Sequence, residues 1–261
     1  MPFIRKLSNF VTPSPEEIRV LNALQSDRVG VRRHREIITE GHSYDHLYIL
    51  LEGYAIRCQV LRNGGRQVLN VVLPGDLIGF PVTFFQKAQY AVTALTDTVV
   101  SPIPHESLIA LLDTHPTLAA KVFWSFATEA GMYVEHLTNI GRRSASERVA
   151  NFLLELLTRL KLIGMADECS YRLPLTQEQI SDALGLSAPH LNRTLRELRA
   201  DDLIDIQDRR VIIKDIQALQ ALAGFRGYHF DRFQIPKPRV VSDGRTPKMA
   251  ELFAAAEIDH S

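Results

Sequence analysis

The sequence predicts an α+β chain in three parts: an N-terminal antiparallel β-roll, one long helix, and a C-terminal unit of two capped helices followed by a hairpin. Three observations carry this. Short β-rich runs punctuated by glycines crowd residues 30–104. A heptad seam runs from Ala119 to Ile140. Two helix-capping signals flank a Leu-Gly-Leu-Ser turn within residues 176–187.

At 261 residues the chain is comfortable for two domains. Hydrophobic content of 46% and charged content of 23% are ordinary for a globular protein. Thirty basic residues balance thirty acidic ones. Bulk charge therefore points to no nucleic-acid partner, and any such surface has to be a local patch. The two cysteines, Cys58 and Cys169, exclude a zinc site built from four cysteines of one chain, and a disulfide framework is not expected. The opening MPFIRKLSNFVTPSP lacks a signal-peptide core, and no run has transmembrane length. A cytoplasmic protein with no membrane partner is expected.

The elements follow in order. Ser14 caps a helix over 15–24, with Pro15 at its first position and Glu16 and Glu17 in its first turn. Strands are expected at 47–51, 54–61, 67–73, 90–95 and 98–103. Asn63-Gly64 marks a hairpin between the second and third. From 105 the pattern turns helical. Pro116 opens a helix to about residue 140, whose apolar residues Ala119, Phe123, Phe126, Ala130, Tyr133, Leu137 and Ile140 are spaced alternately by four and three. Gly141 is expected to break it. Such a seam can also bury against a sheet, but a dimerisation helix is the favoured reading. Ser144 and Glu147 form a capping box for a helix carrying Val149, Phe152, Leu153, Leu156, Leu157 and Leu160 on one face. Residues 163–172 read as loop. The expected division is 1–113 for helix and roll, 114–143 for the dimerisation helix, 144–226 for the helical unit, and 227–261 for a tail of unassigned role. A short helix is expected in that tail near 247–257.

Residues 176–200 carry the chemistry. Thr176 and Gln179 form a capping box, Ile180 and Leu184 give an apolar face, and Gly185 sits where a helix end needs positive φ. Ser187 caps a second helix with Pro189 in its first turn. At about 100° per residue, Leu191, Leu195 and Leu198 share one stripe. Pro189, His190, Arg193 and Arg196 fall opposite, with Asn192 and Arg199 flanking. Arginine pairs bidentately with guanine and asparagine with adenine, so this face suits the major groove of double-stranded DNA. Glu197 dissents. A hairpin follows, with Arg209 and Arg210 at its tip suited to phosphate. Thr176, Gln177 and Ser187 complete the DNA-binding candidates. Residues 170–226 hold eight basic and eight acidic side chains, so affinity has to rest on geometry rather than net charge. An exposed amphipathic helix is usually only solvated, but helix, glycine turn, capped helix and hairpin in this order make a winged helix-turn-helix.

Two stretches, LYILLEGYAIRCQV with LPGDLIGF and LPLTQEQISDALGLSAPHLNRTLRELRADDLI, resemble the Crp–Fnr family (cyclic-AMP receptor protein and fumarate–nitrate reduction regulator) from about residue 20 to 225. The resemblance implies a β-roll sensor of the cyclic-nucleotide-binding type, a homodimer, and recognition helices in two half-sites of a near-palindrome. Arg193 would take the place of the family's guanine-reading arginine, while Pro189 and Asn192 stand where the oxygen-sensing branch has Glu and Ser. RNA polymerase is a further expected partner of such a regulator. The cyclic-AMP binders' Gly-Glu is here Gly79-Phe80, their Arg-Ser falls near Ala88-Gln89, and no arginine lies between Arg66 and Arg142. A buried phosphate diester without a cation is costly, so cyclic AMP is not expected. An iron–sulfur cluster is not expected either, because residues 1–57 contain no cysteine. His34, His42, His46 and His105 are the haem-ligand candidates in the roll, though a surface or satisfied histidine is the plainer reading. Effector-pocket candidates are Gly79, Phe80, Pro81, Val82, Ala88 and Gln89. With Phe84 and Phe85 they make an apolar cluster that either packs as core or receives an apolar effector. A cyclic-nucleotide-responsive regulatory protein is the alternative function. An enzyme is not expected, since no nucleotide-binding glycine loop, metal-ligand spacing or nucleophile motif occurs.

Overall fold

The computed structural model describes residues 1–9, 12–79, 85–225 and 227. The helices are α1 Pro2–Ser8, α2 Pro15–Leu24, α3 His105–Thr114, α4 Pro116–Arg142, α5 Ala145–Leu162, α6 Gln177–Leu184, α7 Ala188–Ala200 and α8 Ile216–Ala223. The strands are β1 Val29–Val31, β2 Glu36–Ile38, β3 His46–Glu52, β4 Ala55–Val60, β5 Arg66–Val72, β6 Leu77–Ile78, β7 Ala91–Ala94, β8 Thr98–Pro104, β9 Ser170–Arg172, β10 Ile204–Gln207 and β11 Arg210–Ile213.

Two four-stranded antiparallel sheets form the roll, in orders β1-β8-β3-β6 and β2-β7-β4-β5. The Asn63-Gly64 signal is a hairpin: β4 pairs with β5 from Ala55↔Val72 to Val60↔Arg66. Between the sheets lie Ile38, Leu50, Ala55, Val72, Ile78 and Val92, all buried. Their alternation with outward residues follows from the period of two along a strand. The expected strands are present. Three more, β1, β2 and β6, are only two or three residues long and carry too little pattern to be seen in isolation.

Outside the roll, α1 and α2 pack Phe3, Leu7 and Leu21 against Leu47, Ile49 and Ile103, together with Leu118 and Val122 of α4. The Ser14–Glu17 capping box is formed as the sequence predicts. Gly75 in the β5–β6 turn has φ +90°, and a Cβ there would stand 2.9 Å from the Pro2 carbonyl oxygen, so only glycine fits.

The long helix departs from expectation at its end. It passes through Gly141 to Arg142, with Arg143 extended as its cap. One glycine costs a helix about 1 kcal/mol, too little to end one anchored on both sides. α4 buries Leu118, Ala119, Val122, Trp124, Ser125 and Met132, and of the heptad seam Ala119 alone belongs to this buried stripe. After it, the Ser144–Glu147 capping box starts α5, whose leucines join Ile56 and Val71 of the roll to the C-terminal unit in one core.

The expectation of loop over 163–172 fails in part. Ser170–Arg172 is a strand that pairs with β11, giving a three-stranded sheet β10-β11-β9 instead of a lone hairpin. Tyr171 is buried there, and its hydroxyl donates to the Leu153 carbonyl at 2.9 Å. The short helix expected near 247–257 lies outside the described residues. Among the described residues, no helix is long and apolar enough to cross a membrane.

Candidate nucleic-acid interface

The helix pair is built by its caps. Thr176 Oγ1 accepts from the Gln179 amide, and the Gln179 side chain accepts in return from the Thr176 amide. α6 ends at Gly185 with φ +62°, the left-handed conformation that lets the chain turn. Ser187 Oγ then accepts from the His190 amide and opens α7.

α7 separates its faces as the helical angles predict. Leu191, Leu195 and Leu198 are buried, together with Thr194. Opposite them Pro189, Arg193, Arg196 and Glu197 are exposed, and His190, Asn192 and Arg199 are half-buried. Neither Arg193 nor Arg196 makes an ion pair or hydrogen bond among the described residues. Two guanidinium groups thus project from a helix whose other side is fixed in the core. Such a face offers fork-shaped donors to base edges or phosphates. Thr176 and Gln177 lie exposed at the start of α6.

The other candidate arginines are held differently. Arg199 Nη2 donates to the Ile206 carbonyl at 3.4 Å, and its Nε is 4.0 Å from Asp205, so it braces α7 on the wing. Arg210 pairs with Asp167 and donates to Ser170 Oγ at 2.7 Å. Arg209 is exposed at the tip, where Asp208 and Arg209 both take positive φ, the pattern of a two-residue hairpin turn.

Three contacts that no local pattern reveals hold the unit in place. Arg148 Nη1 donates to the Leu184 carbonyl at the end of α6 (3.2 Å). Arg66 on β5 pairs with Asp182 at 2.6 Å. The Gln67 amide donates to the Asp182 carbonyl at 2.8 Å. The β4–β5 hairpin therefore grips the first helix of the pair directly.

A buried charged chain lies behind it. Lys6 reaches Asp76 (2.7 Å), Asp76 reaches Arg159 (2.8 Å), Arg159 reaches Glu155 (3.1 Å), and Glu155 reaches His136 Nε2 (2.6 Å). His136 Nδ1 faces the Leu69 carbonyl at 3.0 Å. Burial pushes this imidazole's pKa down, but the Glu155 carboxylate and the Leu69 carbonyl outweigh it, and the net direction is up. Burial likewise opposes ionisation of Asp76, yet Lys6 and Arg159 hold its carboxyl below the usual range. The chain ties α1, the β5–β6 turn, α5 and α4 together.

Of the effector candidates, Gly79 and Ala88 are buried, and Gln89 is exposed with its carbonyl accepting from Gln59 at 3.4 Å. Phe80, Pro81, Val82 and Phe84 lie outside the described residues, and Phe85 is exposed. His34 and His42 are exposed, and His46 pairs with Asp45.

Comparison with known proteins agrees with this architecture. The model of the Crp-like helix-turn-helix domain matches residues 147–222, and that of the cyclic nucleotide-binding domain matches 28–115. Together they span well over half the chain. The nitrogen fixation regulation protein FixK of Azorhizobium caulinodans is 28% identical over 210 residues, covering 80% of this chain and 84% of that protein. The transcriptional activator FnrL of Cereibacter sphaeroides is 27% identical over 213 residues, covering 80% and 85%. The solved structure of FixK2 from Bradyrhizobium japonicum superposes with a TM-score of 0.67 at 27% identity, covering 75% of this chain and 96% of that one. With its roll, long helix and winged helix-turn-helix in the same order, the chain belongs to the Crp–Fnr family of DNA-binding transcription regulators.

Proposed function

We propose that the protein acts in the cytoplasm as a homodimer, placing α7 of each copy in the major groove at two half-sites of a near-palindromic operator. The observation that carries this is the face of α7, where Arg193 and Arg196, unpaired among the described residues, stand opposite a buried leucine stripe. Arg193 reads guanine, and Arg196, His190 and Asn192 contact neighbouring bases or phosphate. Pro189, Thr176, Gln177 and Ser187 line the groove around them. Arg209 approaches phosphate at the wing, while Arg199 and Arg210 orient α7 and the wing.

The dimer joins through α4. Its seam residues Phe123 and Leu137 are 41% and 73% exposed, and Val134 beside them is 64% exposed. Ala130 is exposed, and Phe126, Tyr133 and Ile140 are half-buried along the same line. A second copy of α4 would cover them. One recognition helix reads only a few base pairs, and two-fold symmetry supplies the second half-site about one helical turn away. The working division is sensor 1–113, dimer helix 114–143 and DNA-binding unit 144–226. Regulation is by binding rather than catalysis, with RNA polymerase the partner at promoters.

Cyclic AMP is not the controlling ligand in this reading. The segment from residue 67 to 141 contains no arginine; of its two lysines, Lys87 is exposed and Lys121 is already paired with Glu17 at 2.6 Å. Selection of bound DNA from a random pool tests the proposal. An enriched near-palindrome that Arg193→Ala degrades at one position per half-site supports it. No enriched motif, or one that the substitution leaves unaltered, overturns it. DNA affinity raised by added cyclic AMP would favour the alternative, a cyclic-nucleotide-responsive regulator.

A further inference from the structure

α6 is only eight residues long, and other elements finish its C-terminal end. The last four carbonyls of a helix have no partner within it. Here the Ser181 carbonyl accepts from the Leu186 amide at 3.1 Å, which closes the Gly185 turn. The Asp182 carbonyl accepts from the Gln67 side chain at 2.8 Å, and the same amide reaches the Ala183 carbonyl at 3.5 Å. The Leu184 carbonyl accepts from Arg148 Nη1 at 3.2 Å. Gln67 belongs to β5, so a strand of the roll completes the first helix of the DNA-binding pair.

Arg66, beside it, adds charge. Its Nε and Nη2 both meet Asp182 Oδ2, at 2.7 and 2.6 Å, and Nη2 lies 3.8 Å from Glu178. Arg66 and Asp182 are both partly buried, so salt screens the pair less than it would a fully exposed one. The strand end that carries Arg66 is fixed in turn by its pairing with Val60 and by the Gly64 amide donating to the Leu61 carbonyl at 2.9 Å. With these contacts made, Pro189, Arg193, Arg196 and Glu197 are still exposed. The contact thus leaves the reading face of α7 open. Three residues separate α6 from α7, so what fixes one helix fixes the other.

We infer that Arg66 is a positioning residue for DNA recognition: its pair with Asp182 latches α6 to the roll and sets the register of α7. Register matters for specific binding, because the spacing of two recognition helices has to match the operator. Non-specific binding needs only charge near phosphate. The register claim rests on the two-half-site reading above; the latch itself does not.

Charge exchange in the full chain tests it. Arg66→Glu and Asp182→Arg each replace attraction by repulsion, and the double variant restores an ion pair in the opposite sense. Hydrogen exchange of the α6 amides reads the latch without DNA. Each single variant should exchange there about threefold faster or more, and the double variant should return to within about twofold of wild type. The ratio of affinities for operator and random DNA, at one salt concentration, reads the register. Each single variant should lower it about tenfold, the product over two copies of an ion pair worth about threefold in each, and the double variant should recover most of that loss. A plain charge effect has another signature: Arg66→Glu would weaken binding to both DNAs, Asp182→Arg would strengthen both, and the ratio would hold. Thermal unfolding of each variant confirms that it folds. The proposal is overturned if α6 exchange is unchanged in either single variant, if the ratio is unchanged, or if the double variant is no better than the singles. A wild type without operator preference overturns the register claim together with the two-half-site reading, and the exchange rates then still decide the latch.

Discussion

Leu137→Ala isolates the dimer seam from the fold. In the single chain Leu137 is 73% exposed, so its side chain contributes little to the folding of one copy. Burying a leucine fully is worth roughly 1.5–3 kcal/mol, and about three-quarters of that is available here, or about 1–2 kcal/mol per copy. Two-fold symmetry counts the residue twice, giving about 2–4 kcal/mol per dimer. At about 1.4 kcal/mol per factor of ten, the dimer dissociation constant should rise roughly thirty-fold to several hundred-fold. Sedimentation equilibrium over a concentration series reads that constant directly. Circular dichroism melts at concentrations below dissociation should show the monomer unchanged. An unaltered dissociation constant would refute the reasoning, and so would a monomer that melts markedly earlier.

Three further outcomes follow from the geometry. Gly185→Ala puts a Cβ on a backbone with φ +62° and 3.4 Å from Ile140 Cγ2; it should cost about 1 kcal/mol or more, read by urea unfolding. His136 should make stability pH-dependent. Both ring nitrogens face acceptors, so the imidazolium is the favoured form and its pKa lies above the ordinary 6.5. A raised folded value means the contribution is complete below 6.5 and is lost as pH climbs through the folded pKa. Urea midpoints should therefore fall with rising pH in that window, and His136→Gln should flatten that part of the curve; Glu155, Arg159 and the Tyr133 ring are the neighbours that face it. Leu195→Ala removes a buried anchor of α7 and should cost about 2–5 kcal/mol, measured by the same unfolding assay.

Features set by neighbours in sequence were legible from the sequence, and features set by distant partners were not. The capping pairs Ser14–Glu17, Ser144–Glu147 and Thr176–Gln179 each span three residues, so the helix starts could be read locally. The Asn63-Gly64 hairpin and the left-handed Gly185 belong to the same class. Ser170–Arg172 is a strand only because β11 lies beside it, and three residues show no period of their own. Gly141 was legible as a helix breaker, but the helix continues through it because contacts on either side outweigh one glycine's propensity.

The same division runs through the site. The polar face of α7 follows from helical angle alone, so the amino-acid order suffices to place Arg193 and Arg196 opposite the leucines. That Arg210 is held by Asp167, and Arg199 by the wing, depends on contacts between elements. Arg66 gave no signal either. It reads as an ordinary strand arginine until β5 and α6 come together and set it on Asp182.

The central claim is that α7 reads base sequence through Arg193. It is tested most directly by a thermodynamic cycle on the selected operator. Affinities of wild type and Arg193→Ala would be measured for the operator and for variants changed at each half-site position, at one fixed salt concentration. The account predicts a loss of about 1–3 kcal/mol per half-site for Arg193→Ala, and a further loss near zero when the guanine it reads is already changed. Losses that add independently at every position would contradict it.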